Sequence, residues 1–255
     1  MSDTGVMVIG GGLAGIAAAV RLAQQGEAVT LVETRKRLGG RATSFVDPAT
    51  GQVLDNCQHV LLGCCTNLLD LYDRLGVTDA IEWHRRLYFA DAAGRVDVLE
   101  GDDLPAPLHM TRALLGFSTL SLSEKLAISR GMLAMMRLGR AGREACEHIT
   151  FADWLAAHGQ PGSAVRRFWG VVIISALNEL PERCSAASAI QVFQEAFLEN
   201  EQAYVMGLAA VPLVQLYDAA ERVLAEAGGR VILSNRVEVL EYDVGLVKDF
   251  RTCER

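Results

Sequence analysis

The chain has 255 residues, 51% of them hydrophobic, and a net charge of −7. That composition supplies a sizeable core and argues against disorder, and the acidic balance argues against a general affinity for nucleic acid. No apolar run approaches the roughly 20 residues of a membrane-spanning helix. Met1 to Thr4 lacks the basic start of a secretory leader, so the expected location is the cytoplasm.

Val6 to Ile9 is a short apolar run suited to a strand buried on both faces. Gly10, Gly12 and Gly15 follow, then a helix over Ile16 to Gln25 stopped by Gly26, then a second apolar strand from Ala28 to Val32 that closes on Glu33. The spacing has a mechanical reading. The first glycine permits a tight turn, the second lets a pyrophosphate approach bare backbone, and the third lets the helix sit against the strand. The helix then aims free N–H groups and a partial positive charge at the phosphates. Glu33 is placed to accept from ribose hydroxyls, which favours FAD or NAD over a 2′-phosphorylated cofactor.

Further on, Ala42–Val46 and Gln52–Leu54 read as strands joined by a turn over Asp47 to Gly51. A helix is expected over Thr66–Leu75 with Thr66 as its cap, and a hairpin over Trp83–Phe89 and Arg95–Leu99. After a loop with Pro105 and Pro107, Ser121-Leu122-Ser123-Glu124 has the capping-box pattern and opens a helix through Arg137. Helices follow at Thr150–His158, at Phe168–Leu177 (apolar on all sides, hence expected to be buried), at Ser185–Glu199 and at Ala219–Ala227. Arg230–Ser234 and Val237–Tyr242 are the last expected strands. The six cysteines form no C-x-x-C pair and read as free thiols, with Cys64-Cys65 unlike a metal knuckle, so no metal is expected.

Arg37-Leu38-Gly39-Gly40-Arg41, just after the acid, resembles the FAD-dependent amine oxidase and carotenoid desaturase superfamily. There the glycines bring backbone to the cofactor and the arginine neutralises the pyrophosphate, a charge-assisted contact that is sound chemistry in itself. An exposed basic loop is the plainer alternative. Within that superfamily, Val53 to Cys64, Leu104 to His109, Thr150 to Leu155, Phe168-Trp169 through Asn178, and Gly207 through Leu213 look like the squalene-associated desaturases, the hydroxysqualene dehydroxylases. The resemblance implies an α/β fold: a Rossmann-like FAD/NAD(P)-binding domain in three layers (ββα) with a mainly helical substrate-domain insertion. The expected division is 1–80 and 205–255 for the FAD-binding domain and 81–204 for the helical domain with a β-hairpin. It assigns FAD contacts to Gly10, Gly12, Gly15, Glu33, Arg35, Gly40 and Arg41, with the backbone at Val237 meeting the adenine.

The resemblance further implies reductive removal of a hydroxyl from a lipophilic isoprenoid to give squalene, as a step toward hopanoids, with an unidentified electron donor. Carotenoid-type desaturation, amine oxidation and a non-catalytic remnant are the alternatives. Two departures stand out. Cys57 replaces an expected glycine, where a side chain would either crowd the flavin or bend a turn that wants positive φ, and the family pattern stops near Leu240, which suggests a C-terminally truncated chain lacking the later strands. Asp55 and His59 are weak candidates for the acid that assists loss of water. For His59 the plainer reading is a ring hydrogen-bonded to nearby backbone, and for Asp55 a residue that fixes the turn. Asn178 and Glu179 are either pocket-lining groups or a polar helix end. Leu122–Arg143, with Met132, Leu133, Met135, Met136 and Leu138 beside Arg130, Arg137, Arg140 and Arg143, reads either as an amphipathic basic helix for peripheral membrane contact or as Met-rich internal packing.

Overall fold

The computed structural model describes the backbone of residues 5–243 and 246–254 and the side chains of residues 5–241. Met1–Thr4, residues 244 and 245, and Arg255 lie outside the described residues, as does the side chain of Cys253. In chain order the elements are β1 (Val6–Ile9), α1 (Leu13–Gln24), β2 (Val29–Val32), β3 (Ser44–Val46), β4 (Val53–Asp55), β5 (Val60–Leu62), α2 (Thr66–Leu75), β6 (Ile81–His84), β7 (Leu87–Ala90) and β8 (Val96–Leu99). The helical stretch holds α3 (Thr111–Gly116), α4 (Leu122–Glu144), α5 (Phe151–Ala157), α6 (Gly162–Ala164), α7 (Gly170–Leu177) and α8 (Ala186–Phe193). Then come β9 (Met206–Ala209), α9 (Leu213–Glu226), β10 (Arg230–Ile232), β11 (Asn235–Asp243) and β12 (Leu246–Glu254).

The chain divides into two units, one of Met1–Val60, Thr66–Glu82 and Leu208–Arg255, the other of Leu61–Cys65 and Trp83–Gly207. The first is built on a parallel sheet in the order β1-β2-β10, with Val6 opposite Val29 and Arg230 opposite Thr30. Parallel pairing needs a crossover, and α1 supplies it between β1 and β2. Its Ile16, Ala19, Val20 and Ala23 are buried, and α1 packs beside α9. Two antiparallel pairs, β3–β4 and β11–β12, complete this unit.

The second unit is held by an aromatic and aliphatic core. Trp169 meets Phe193 edge-on at 4.8 Å and Phe151 at 6.1 Å, and Met135 and Ile128 of α4 are buried in the same cluster. Two buried glutamines satisfy polar groups there. Gln160 accepts from Trp169 Nε1 and donates to the Ala127 carbonyl, and Gln194 donates to the Met135 carbonyl.

Several sequence expectations need correction. β1 is an edge strand with partly exposed side chains, Ile9 being 50% exposed, because β2 is its one partner among the described residues. Helix α1 starts at Leu13, directly after the extended Gly12. Thr66 is the first residue of α2 and not its cap. The expected strand Trp83–Phe89 is broken at Arg85 and Arg86, which turn to Gln202 and Glu100, so the hairpin is β7–β8 alone. The segment after Phe168 is not buried on all sides. It is a π-helical stretch (Val165–Trp169) followed by α7, whose Ile173 faces the core while Val171 and Ile174 are exposed. Helix α9 begins six residues before Ala219, and β9 had no counterpart in the sequence reading. Cys57 does not take a positive φ, so the strain expected of a side chain there is absent.

Candidate functional site

The three glycines of the first turn divide the steric work. Gly10 has φ of +102° and its N–H donates to the Val32 carbonyl, a conformation that favours glycine. A Cβ on Gly15 would overlap the Gly10 carbonyl oxygen, so the third glycine is what lets α1 lie against the turn. A Cβ on Gly12 would meet no protein atom within 4 Å. Packing does not demand glycine there, and the open space above the backbone is what close approach of a ligand requires. Gly12 caps α1 without a side-chain bond, and the first turn carries no acid, so no carboxylate neutralises the positive end of the helix there.

Glu33 is 8% exposed. Its Oε2 accepts from Gly11 N at 2.7 Å and its Oε1 from Arg35 N at 2.8 Å. The carboxylate therefore clamps the glycine turn to the end of β2, with lone pairs left on both oxygens for further donors. The second glycine pair lies directly on the first turn. Gly39 N donates to Gly11 O at 2.8 Å, Gly12 and Gly39 form a parallel bridge, and a Cβ on Gly40 would sit 3.1 Å from Gly12 Cα. Gly39 and Gly40 have φ of +97° and +63°. Arg35 Nη1 donates to the Gly40 carbonyl at 2.8 Å.

Gly10, Gly12, Gly15, Glu33, Arg35 and Gly40 thus come together at one place in the first unit. Arg41 follows with an exposed side chain, its carbonyl accepting from Asn56 Nδ2. Val237 lies on β11, two residues beyond the Asn235 amide that donates to the Glu33 carbonyl. Two further glycines belong to the same construction. A Cβ on Gly11 would lie 2.5 Å from buried Leu38, and one on Gly39 would lie 2.7 Å from the Tyr217 ring. The doubled glycines of Gly10-Gly11-Gly12 and Gly39-Gly40 were the available signal for them.

Asp55 and His59 are engaged locally. Asp55 Oδ1 accepts from Ser44 Oγ at 2.6 Å and from Leu213 N at 3.1 Å, and Ser44 Oγ accepts from Val214 N at 3.1 Å. The pair caps α9 from two distant strands, which makes Asp55 a positioning residue in this geometry. His59 Nδ1 lies 2.8 Å from the Cys57 carbonyl. A carbonyl only accepts, so Nδ1 donates. Asn178 takes the left-handed conformation (φ 53°) that ends α7, and Glu179 bonds the Leu180 amide and pairs with Arg183, so both serve the helix end. Among the described residues no cluster of three or more His, Cys, Asp or Glu side chains could hold a metal ion.

The sequence profile of the flavin containing amine oxidoreductases matches residues 13–250. The chain is 26% identical over 250 residues to zeta-carotene desaturase of Synechocystis sp., covering 94% of this chain and 51% of that protein. It is 28% identical over 252 residues to 15-cis-phytoene desaturase of Arabidopsis thaliana, covering 96% and 44%. The chain therefore spans about half the length of these relatives. Among solved structures, an oxidoreductase from Methanosarcina mazei superimposes with a TM-score of 0.69 at 17% identity, over 98% of this chain and 56% of that one. At that identity the likeness speaks for the fold.

Proposed function

Because this chain belongs to the flavin containing amine oxidoreductase family, we propose that it holds FAD on its paired glycine turns and serves redox chemistry on a long isoprenoid. The observation that carries this reading is the junction of Gly12, Glu33 and Gly39-Gly40. There an open main-chain surface, a helix N-terminus and a carboxylate with spare lone pairs meet. Those features match the needs of an adenine dinucleotide: bare amides for the pyrophosphate, an acceptor for the ribose hydroxyls, and the exposed Arg41 guanidinium for phosphate charge. When bound, FAD supplies hydride transfer, and the protein's part is binding and orientation.

The reaction we favour is reductive dehydroxylation of hydroxysqualene: the C–O bond breaks, the hydroxyl leaves as water with a proton, and a hydride from a reduced donor makes squalene. Support comes from the Asp55–Cys64 string and the later stretches already named. His59, with Nδ1 held by the Cys57 carbonyl, presents Nε2 as the ring nitrogen that would relay a proton to a leaving hydroxyl. A second reading is carotenoid-type desaturation, favoured by the two desaturases to which the chain aligns over nearly its whole length.

Purified protein given excess FAD should retain flavin, shown by bound absorbance after gel filtration. A colourless preparation with no thermal protection would refute the cofactor reading. For the flavin-loaded protein, squalene formed from hydroxysqualene and a chemical reductant supports dehydroxylation. Conversion of a carotene with a quinone acceptor, and no squalene, selects the second reading. Retained flavin with neither product leaves a binding module without catalysis.

A further inference from the structure

Helix α4 does two things with its apolar residues. Ala127, Ile128, Gly131 and Met135 are buried, and Met132 and Leu138 pack partly against the same core. Leu122, Leu126, Leu133 and Met136 instead stand 68%, 57%, 41% and 43% exposed. At 3.6 residues per turn these four fall within about 80° of one another, opposite the buried stripe. All precede Gly139, whose φ of 65° and ψ of −175° break the helix, so they share one straight shaft.

Cations border this ridge on both sides. Lys125 lies on one shoulder, its Nζ bonded to the Leu115 carbonyl, and Leu115 adds a further exposed apolar side chain nearby. Arg130 and Arg137 lie on the other shoulder, exposed and without an ion pair among the described residues. Between Leu122 and Leu138 the single acid is Glu124, which is buried and closes the capping box with Ser121. The local charge thus opposes the net charge of the whole chain, −7.

From this arrangement we infer that the Leu122–Met136 face of α4 lies in the interface of an anionic lipid bilayer, apolar ridge down and arginines at headgroup level. The ridge is a narrow apolar strip with cations on both shoulders, which complements a fluid apolar layer under an anionic surface. Arginine and lysine stems lie along such a boundary with their charges in the polar layer. No helix among the described residues is long and apolar enough to cross a membrane, so the contact inferred is in the plane of the surface. It rests on residues of the second unit and not on cofactor binding.

The test is co-sedimentation of the full chain with phosphatidylcholine vesicles, with and without phosphatidylglycerol. Strong partitioning to the phosphatidylglycerol vesicles and weak partitioning to neutral ones is expected. Leu126→Gln with Leu133→Gln, and separately Arg130→Gln with Arg137→Gln, should each weaken that partitioning by about tenfold or more. Because all four side chains are exposed, circular dichroism and Tm should stay as in the parent. Arg222→Gln, an exposed arginine on α9, should bind vesicles like the parent. Absent binding, or binding indifferent to both double substitutions, overturns the inference. So does a dimer in sedimentation velocity that the leucine pair abolishes, since a second copy of the chain would then own the ridge.

Discussion

Gly12 and Gly15 look alike in the sequence, three residues apart, yet the structure gives them opposite sensitivities. Gly12→Ala should leave stability within about 0.5 kcal/mol of the parent, since the new methyl meets open space at an ordinary φ of −77°. It should nonetheless weaken FAD binding about tenfold or more, read by flavin fluorescence titration, because the methyl stands where the ligand's phosphate must approach. Gly15→Ala should lower Tm and abolish binding together, since Cβ overlaps the Gly10 carbonyl and pushes α1 off the turn. The placement of Gly10, Gly12, Gly15 and Glu33 around one turn was legible because their spacing is local. Gly11 was not singled out and Gly39 was read only as backbone brought to the cofactor, because their steric need for glycine comes from Leu38 and Tyr217, side chains that only the fold brings near.

At the scale of elements, α9 shows where local pattern ends. Its first residues lack a capping side chain in the adjoining sequence, and Pro212 precedes them. The cap comes from Ser44 and Asp55, more than 150 residues earlier, so the helix start could not be read from its own neighbourhood. Asp55→Ala should cost about 1–2 kcal/mol in denaturant unfolding, and Asp55→Asn, which keeps an acceptor, should recover much of it. Flavin bound per folded molecule should be unchanged in the asparagine variant. By contrast α4 and α5 announced their starts, with Ser121 bonding Glu124 N and Thr150 bonding Asp153 N as the adjacent sequence implied. The π-helical stretches at Val165–Trp169 and Gln194–Leu198 carry no periodicity of their own: the first was read as helix only from Phe168, the second as ordinary helix.

For the whole molecule, the two units should answer to different perturbations. On the proposed site, FAD at a hundred times its Kd should add about 2.7 kcal/mol to the first unit's unfolding free energy, raising the corresponding calorimetric transition. Acid should act on the second unit in two stages. His109 is fully buried, neither ring nitrogen has a partner, and burial lowers its pKa against the pull of Glu201 and Asp102, with Arg85 lowering it further. A base depressed in the folded state gains its proton more readily when unfolded, so stability should fall as pH drops below about 6.5. His109→Leu should flatten that part of the curve. Asp97 is buried, which alone would raise its pKa, yet bonds from Thr119 and Ser118 bring it down to about 2. Its contribution is present above about pH 4 and is lost between there and about pH 2. Asp97→Asn should remove the second stage, as followed by tryptophan fluorescence against pH.

Glu33 joins two properties that protein engineers treat as separable. Its oxygens hold the amides of Gly11 and Arg35, while on the proposed reading its negative charge disfavours a phosphorylated ribose. Exchanging it for a small neutral residue to admit that phosphate would release the very loop the phosphate must rest on. On that reading cofactor preference is tied to loop integrity, and a route to the other dinucleotide must first find the Gly11 amide a new acceptor.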